Sequence, residues 1–147
     1  MSQAILTTSK TVLKDDPRLT IRLKKTLEQH IPIIIIDNNL KITMKSKILK
    51  DISKKRIIIF TSKKNKKSEN LNKLGCEIIY CKLNKNKKLN LKNIFSKIYS
   101  LKISDLLVEA GGIFFTELLN NNLVDEIQTI IIFYVASCPL RAMCALK

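Results

Sequence analysis

Tryptophan is absent from the 147 residues, and only three glycines, three prolines, four cysteines and one histidine are present. Each scarcity excludes something. Aromatic residues make up 5% of the chain, so the stacking platforms that hold single-stranded nucleic acid are scarce. Cys76 and Cys81 are separated by four residues, Cys138 and Cys144 by five, and neither gap matches a zinc ribbon. His30 is the one histidine that could add a ligand, so no metal site is expected. Cys76 and Cys81 flank a strand-like stretch and read as small buried apolar residues. His30 lies outside every motif and reads as a surface or loop residue, not a general base. No apolar run reaches the length of a membrane span; the longest, Ile33–Ile36 and residues 130–134, are strand-sized. Residues 1–13 are polar and threonine-rich, without the apolar centre of a secretory signal, so the cytoplasm is the expected compartment.

What the chain has in excess is positive charge. The formal net charge is +15, carried by 23 lysines and only 4 arginines. Base readout and phosphate forks favour arginine, whose donors are planar and fixed. Isoleucine (23) and asparagine (12) are equally crowded, and all three residue types share A/T-rich codons. Codon bias on solvated faces therefore explains the charge better than a nucleic-acid site does. Only weak, salt-sensitive, sequence-independent binding of nucleic acid is expected. The charge can still attract small phosphorylated ligands.

The periodicity alternates between strand and helix. Residues 3–7 read as a short strand and 9–22 as an irregular loop, because Pro17 lacks an amide proton and Asp15-Asp16 favour turns. Residues 32–37 hold four isoleucines and end in a carboxylate, as expected of a parallel strand buried on both faces. A weak helix or loop over 45–53 precedes a second buried strand, 56–61. A short helix over 67–74 is stopped by Gly75, and a third strand follows at 76–82. Residues 82–92 form an exposed lysine- and asparagine-rich connector. Apolar residues at 91, 94, 95, 98 and 101 predict a helix. Then come a strand at 105–109, a helix at 112–122 with Ile113, Phe114, Leu118 and, at its edge, Leu119 inward, and a long strand at 126–134. Strands separated by helices predict a mostly parallel sheet. The length suits one domain, 1–147.

Two segments stand out. Residues 11–22 read TVLKDDPRLTIR, and residues 105–126 read DLLVEAGGIFFTELLNNNLVDE. In the second, an apolar strand ends in Glu109 and runs through Gly111-Gly112 into a helix. Glycines there let a backbone approach a phosphate at a helix N-terminus that favours negative charge. Two adjacent glycines alone are a weak signal, and they are not the G-x-G-x-x-G of a Rossmann dehydrogenase. Glu109 ends a strand, where ligands of open α/β sheets gather; it equally suits the N-terminal end of a helix dipole.

Together the segments resemble the reductase domain of the bacterial riboflavin-biosynthesis deaminase/reductase. The matching residues are Thr11-Val12-Leu13, Asp15-Asp16-Pro17, Leu19-Thr20, Arg22, the apolar run ending in Asp37, Val108-Glu109-Ala110-Gly111, Leu118-Leu119 and Leu123-Val124-Asp125-Glu126. The likeness runs from about Ala4 to about Tyr134, densest at the two ends. It implies an α/β fold with a dihydrofolate-reductase-like, mostly parallel sheet flanked by helices. It implies an NADP-dependent oxidoreductase that reduces 5-amino-6-(5-phosphoribosylamino)uracil to the ribitylamino compound with NADPH. Leu19, Arg22 and Glu109 match substrate positions, Arg22 toward the phosphate and Glu109 toward the pyrimidine. Thr11, Asp15, Asn38, Gly111, Gly112, Ile113, Phe114, Phe115, Thr116 and Glu117 match cofactor positions. Asn38 stands where the family has a small hydroxyl residue.

The H-x-E and P-C-x-x-C pairs of a zinc deaminase are absent. Deamination is therefore expected on a separate chain, and the family suggests a homo-oligomer. The family domain begins with a strand and helix upstream of Gln3 and continues past residues 130–134 with further strands, so both sheet edges are expected to be incomplete. The alternatives are a shortened remnant of that reductase with little or no activity, and a basic RNA-associated protein.

Overall fold

Runs of β-branched residues build the centre of the molecule. The computed structural model describes residues 2–19, 31–50 and 52–127. Residues 128–134 of the expected last strand lie outside these, as do Thr20, Arg22, His30, Cys138 and Cys144. The strands are β1 (Ala4–Thr8), β2 (Ile33–Ile36), β3 (Ile57–Thr61), β4 (Glu77–Tyr80) and β5 (Leu106–Val108). All pair in parallel in the order β4-β3-β2-β1-β5. The chain steps outward from β1 to β4 and then returns to the far side of β1. The strand order thus reverses between β1 and β5.

Four helices complete the order: α1 (Ser9–Asp15), α2 (Lys66–Leu74), α3 (Leu91–Ser100) and α4 (Gly112–Asn120). They divide between the two faces of the sheet. Val12 of α1 and Leu71 of α2 pack with Ile33, Ile35, Ile57 and Ile59. Ile94 and Ile98 of α3 and Leu118 of α4 pack with Leu6, Ile34, Ile58 and Phe60 on the other face. Register explains the split. Ile34 aligns with Ile58 and Leu6, and Ile35 with Ile59, so alternate residues across neighbouring strands share a face. With both faces covered, the strands read as unbroken apolar runs, and each fully buried isoleucine contributes roughly 1.5–3 kcal/mol.

Local chemistry sets the helix ends. Asn65 and Ser68 form a reciprocal capping box at the start of α2, and Gly75, at φ 113°, ends it in the left-handed region. The side chain of Asn90 caps α3 by accepting from the Asn93 N–H.

The structure corrects the reading of residues 9–22 as irregular. Its first half is α1. Thr8 caps it by accepting from the Thr11 N–H, and Val12 is buried under the sheet. Asp16, left-handed at φ 40°, ends it with its N–H on the Val12 carbonyl, and Pro17 follows. The Asp-Asp-Pro chemistry terminates a helix here and does not make the whole stretch a loop. Residues 45–53 contain two short 3₁₀ turns, Lys47–Leu49 and Ile52–Lys54. Helix α4 is also rotated from expectation. Leu118 is fully buried and Phe114 half-buried, but Ile113 is 71% and Leu119 41% exposed. One stripe spaced by four faces the sheet, and its neighbours point away.

Candidate functional site

A parallel sheet delivers the carboxyl ends of all its strands to one side. Thr8, Asp37-Asn38, Thr61-Ser62, Cys81 and residues 109–112 therefore collect along one rim. Ligands of open α/β sheets bind on this rim where strand order reverses, between β1 and β5 here. Helices α1 and α4 begin on either side of that point, on opposite faces of the sheet.

Glu109 stands at the reversal. Its N–H donates to the Leu6 carbonyl at 2.9 Å, the bond that closes the last β1–β5 pair, Leu6 with Val108. Its side chain is exposed. Gly111 then caps α4 without any side-chain cap bond, and the Phe114 and Phe115 N–H groups return to its carbonyl at 3.0 and 3.2 Å. The first N–H groups of a helix have no acceptor inside it. A Cβ built on Gly111 or Gly112 would meet no atom within 4 Å. This uncapped, unobstructed N-terminus fits a phosphate of a dinucleotide.

The other expected cofactor residues lie on α1, after β2 and on α4. Thr11 is tied to the cap of α1, its hydroxyl 3.1 Å from that of Thr8. Asp15 is exposed one turn further along α1, about 6 Å from Thr11 by helical rise. Asn38 is held through both its backbone and its side chain. Its carbonyl accepts from Ser62 Oγ at 2.9 Å and Thr61 Oγ1 at 3.3 Å, its Oδ1 accepts from Ser62 Oγ at 3.0 Å, and its Nδ2 donates to the Lys87 carbonyl at 3.1 Å. Glu117 of α4 is paired with Lys88 at 3.3 Å, so the 82–90 connector bridges the end of β2 to α4. Thr116 Oγ1 donates to the Gly112 carbonyl at 2.9 Å, and Phe115 is half-buried.

Of the expected substrate residues, Leu19 is half-buried against the layer beneath α1 and α2, with φ 45°. Arg22 lies outside the described residues. Asp16 ties the end of α1 to the Lys47–Leu49 turn. Its Oδ1 accepts the Lys47 N–H at 2.8 Å and its Oδ2 faces the Lys47 ammonium at 3.4 Å. The backbone hydrogen bond from Lys47 holds the Asp16 carboxyl below its ordinary pKa.

Two residues at the rim escape a sequence reading. Asp37 is buried, and its two oxygens accept the Lys41 and Ile42 N–H groups, each at 2.8 Å. A carboxylate ending an isoleucine run was the visible sign, but its partners were not. Thr7 is buried with an unpartnered hydroxyl. Cys76 and Cys81 are buried thiols, as expected, and burial pushes Cys76 up to about 11. Neither is poised as a thiolate nucleophile. Among the described residues, no group of three or more His, Cys, Asp or Glu could hold a metal, and no helix is long and apolar enough to cross a membrane.

The family follows from comparison with known proteins. The model of the RibD C-terminal domain matches residues 1–135. The chain belongs to the RibD C-terminal domain family. It is 36% identical over 128 residues to the riboflavin biosynthesis protein RibD of Aquifex aeolicus, covering 87% of this chain and 34% of that protein. It is 31% identical over 137 residues to the 5-amino-6-(5-phosphoribosylamino)uracil reductase of Buchnera aphidicola, covering 86% and 63%. The chain thus spans from a third to under two thirds of the curated RibD-related proteins it matches. Among solved structures, RibD of Acinetobacter baumannii superposes with a TM-score of 0.67 at 22% identity, over 84% of this chain and 33% of that one. The riboflavin biosynthesis reductase Rib7 of Saccharomyces superposes with a TM-score of 0.60 at 23% identity, over 83% and 55%. The fold is the dihydrofolate-reductase-like α/β arrangement that the two RibD-like segments implied.

Proposed function

We propose that this chain is an NADP-dependent oxidoreductase of riboflavin biosynthesis, reducing 5-amino-6-(5-phosphoribosylamino)uracil to 5-amino-6-(5-phosphoribitylamino)uracil. The observation that carries the reading is the strand-order reversal, where exposed Glu109 leads directly into the uncapped α4 of a RibD C-terminal domain. When bound, NADPH supplies the hydride that reduces C1 of the ribosyl group, whose ring opens to the ribityl chain. The residues of this chain bind and orient. Gly111 and Gly112 admit a cofactor phosphate to the α4 N-terminus, and Thr11, Asp15, Asn38 and residues 113–117 of α4 contribute the remaining cofactor contacts. Glu109 accepts two hydrogen bonds from ring and amino N–H groups of the pyrimidine, and Arg22 grips the substrate phosphate as a bidentate fork. The lysine excess draws in both phosphorylated partners. The reading includes a single domain over 1–147, work in the cytoplasm as a homo-oligomer, a separate deaminase chain upstream, and no specific nucleic acid.

Glu109→Gln and Arg22→Ala test the substrate assignment. Each removes a charge-assisted contact worth roughly 1.5–3 kcal/mol, so kcat/KM should fall roughly ten- to a hundredfold. NADPH affinity should change little in either variant. An active wild type matched by both variants would show that the substrate lies elsewhere.

A further inference from the structure

Among the described residues, Thr7 Oγ1 is the one buried side-chain polar atom without a hydrogen-bond partner. The residue is fully buried. A buried hydroxyl left unpaired destabilises a fold, and valine would fill the same space without that penalty. Its counterpart at the end of β3 shows the usual solution. Thr61 is equally buried, yet its hydroxyl donates to the Asn38 carbonyl and accepts from the Lys63 N–H. The exception at Thr7 falls on β1 at the point where strand order reverses.

Register identifies its neighbour. Leu6 aligns with Val108, and the Glu109 N–H bonds the Leu6 carbonyl at 2.9 Å, which sets the 108–109 peptide beside the 6–7 peptide. Glu109 is therefore the residue beside Thr7, on a strand about 4.8 Å away. Leu6 and Val108 both pack in the layer of α3 and α4. Successive residues of a strand alternate, so Thr7 and Glu109 share the opposite face. The Glu109 side chain is exposed and makes no hydrogen bond among the described residues. An unused donor in the wall and an unused charged acceptor at the rim stand side by side.

We propose that Thr7 is a positioning residue for Glu109. With substrate bound, its hydroxyl donates to one carboxylate oxygen and holds the side chain in the orientation that meets the pyrimidine. A glutamate has three rotatable bonds to fix, and one charge-assisted O–H···O⁻ bond from a rigid strand, formed as the substrate is received, removes much of that freedom in the complex. The remaining lone pairs stay available to pyrimidine N–H groups. This rests on the reading that Glu109 holds the substrate.

The test compares wild type, Thr7→Val, Thr7→Ser, Glu109→Gln and the Thr7→Val/Glu109→Gln double variant of the full chain. KM for 5-amino-6-(5-phosphoribosylamino)uracil, NADPH affinity and thermal midpoint are measured for each. Thr7→Val should raise KM about tenfold, the scale of one charge-assisted bond, with NADPH affinity unchanged and a midpoint equal to or above wild type. Thr7→Ser, which keeps the hydroxyl, should restore the wild-type KM. In the Glu109→Gln background, Thr7→Val should add far less, because the charged acceptor is gone. Wild-type KM in Thr7→Val, or the same KM effect with and without Glu109, would overturn the positioning role alone. A wild type that is folded and inactive would overturn the reductase reading, and this role with it.

Discussion

Asp37→Ala is expected to destabilise the fold by about 3–6 kcal/mol, because hydrogen bonds to charged groups contribute roughly 1.5–3 kcal/mol each and two are lost. The carboxylate is buried at the end of β2, and each oxygen takes one backbone N–H at 2.8 Å, from Lys41 and Ile42. These bonds turn the chain after β2 so that Leu40 and Ile42 enter the layer beneath α1 and α2. Alanine leaves both N–H groups without their acceptor, and the Ile42 group is in a buried bond. A domain of this size is stable by only about 5–15 kcal/mol, so the loss should lower the urea midpoint markedly. Asp37→Asn keeps one acceptor and should cost about half as much. A shift below about 1 kcal/mol in Asp37→Ala would show that the turn is held by packing alone.

The second large effect is on the cofactor. Gly111→Asp should weaken NADPH binding by about a hundredfold or more, because its carboxylate repels the phosphate and competes with it for the same helix N-terminus. The same change should leave the fold intact. Aspartate is a favoured helix cap, a few tenths of a kcal/mol better than glycine, and it would occupy the same N–H groups the phosphate needs. Gly111 has φ −67°, which any residue adopts, and a Cβ there meets nothing within 4 Å. Gly111→Ala should therefore also fold normally. Fluorescence titration with NADPH reads the affinity and circular dichroism the fold. Equal affinity in wild type and Gly111→Asp would remove α4 from the cofactor site.

Elements governed by short-range chemistry were legible in the sequence. The isoleucine runs of β2 and β3 announce strands buried on both faces, and Gly75 marks the end of α2. The 91, 94, 98 spacing gives α3 its buried stripe. Helix α1 was hidden because its local signals favour turns, whereas Thr8 capping and burial of Val12 against the sheet decide the outcome. The inward set of α4 was misjudged at Ile113 because the helix meets the sheet along Phe114 and Leu118 only. Glu109 could be found from its place before the glycine turn. Its neighbour Thr7 could not, since that pairing joins β1 to a strand about a hundred residues later in the chain. Asp37 was visible as a residue but not as a clamp, because its partners lie in the turn it creates.

The most direct test of the central claim is NADPH oxidation by the purified full chain with 5-amino-6-(5-phosphoribosylamino)uracil supplied. The account predicts loss of NADPH absorbance that depends on the substrate, with one ribitylamino product formed for each NADPH consumed. A chain that is folded by circular dichroism and binds NADPH, yet gives no substrate-dependent oxidation, would contradict it.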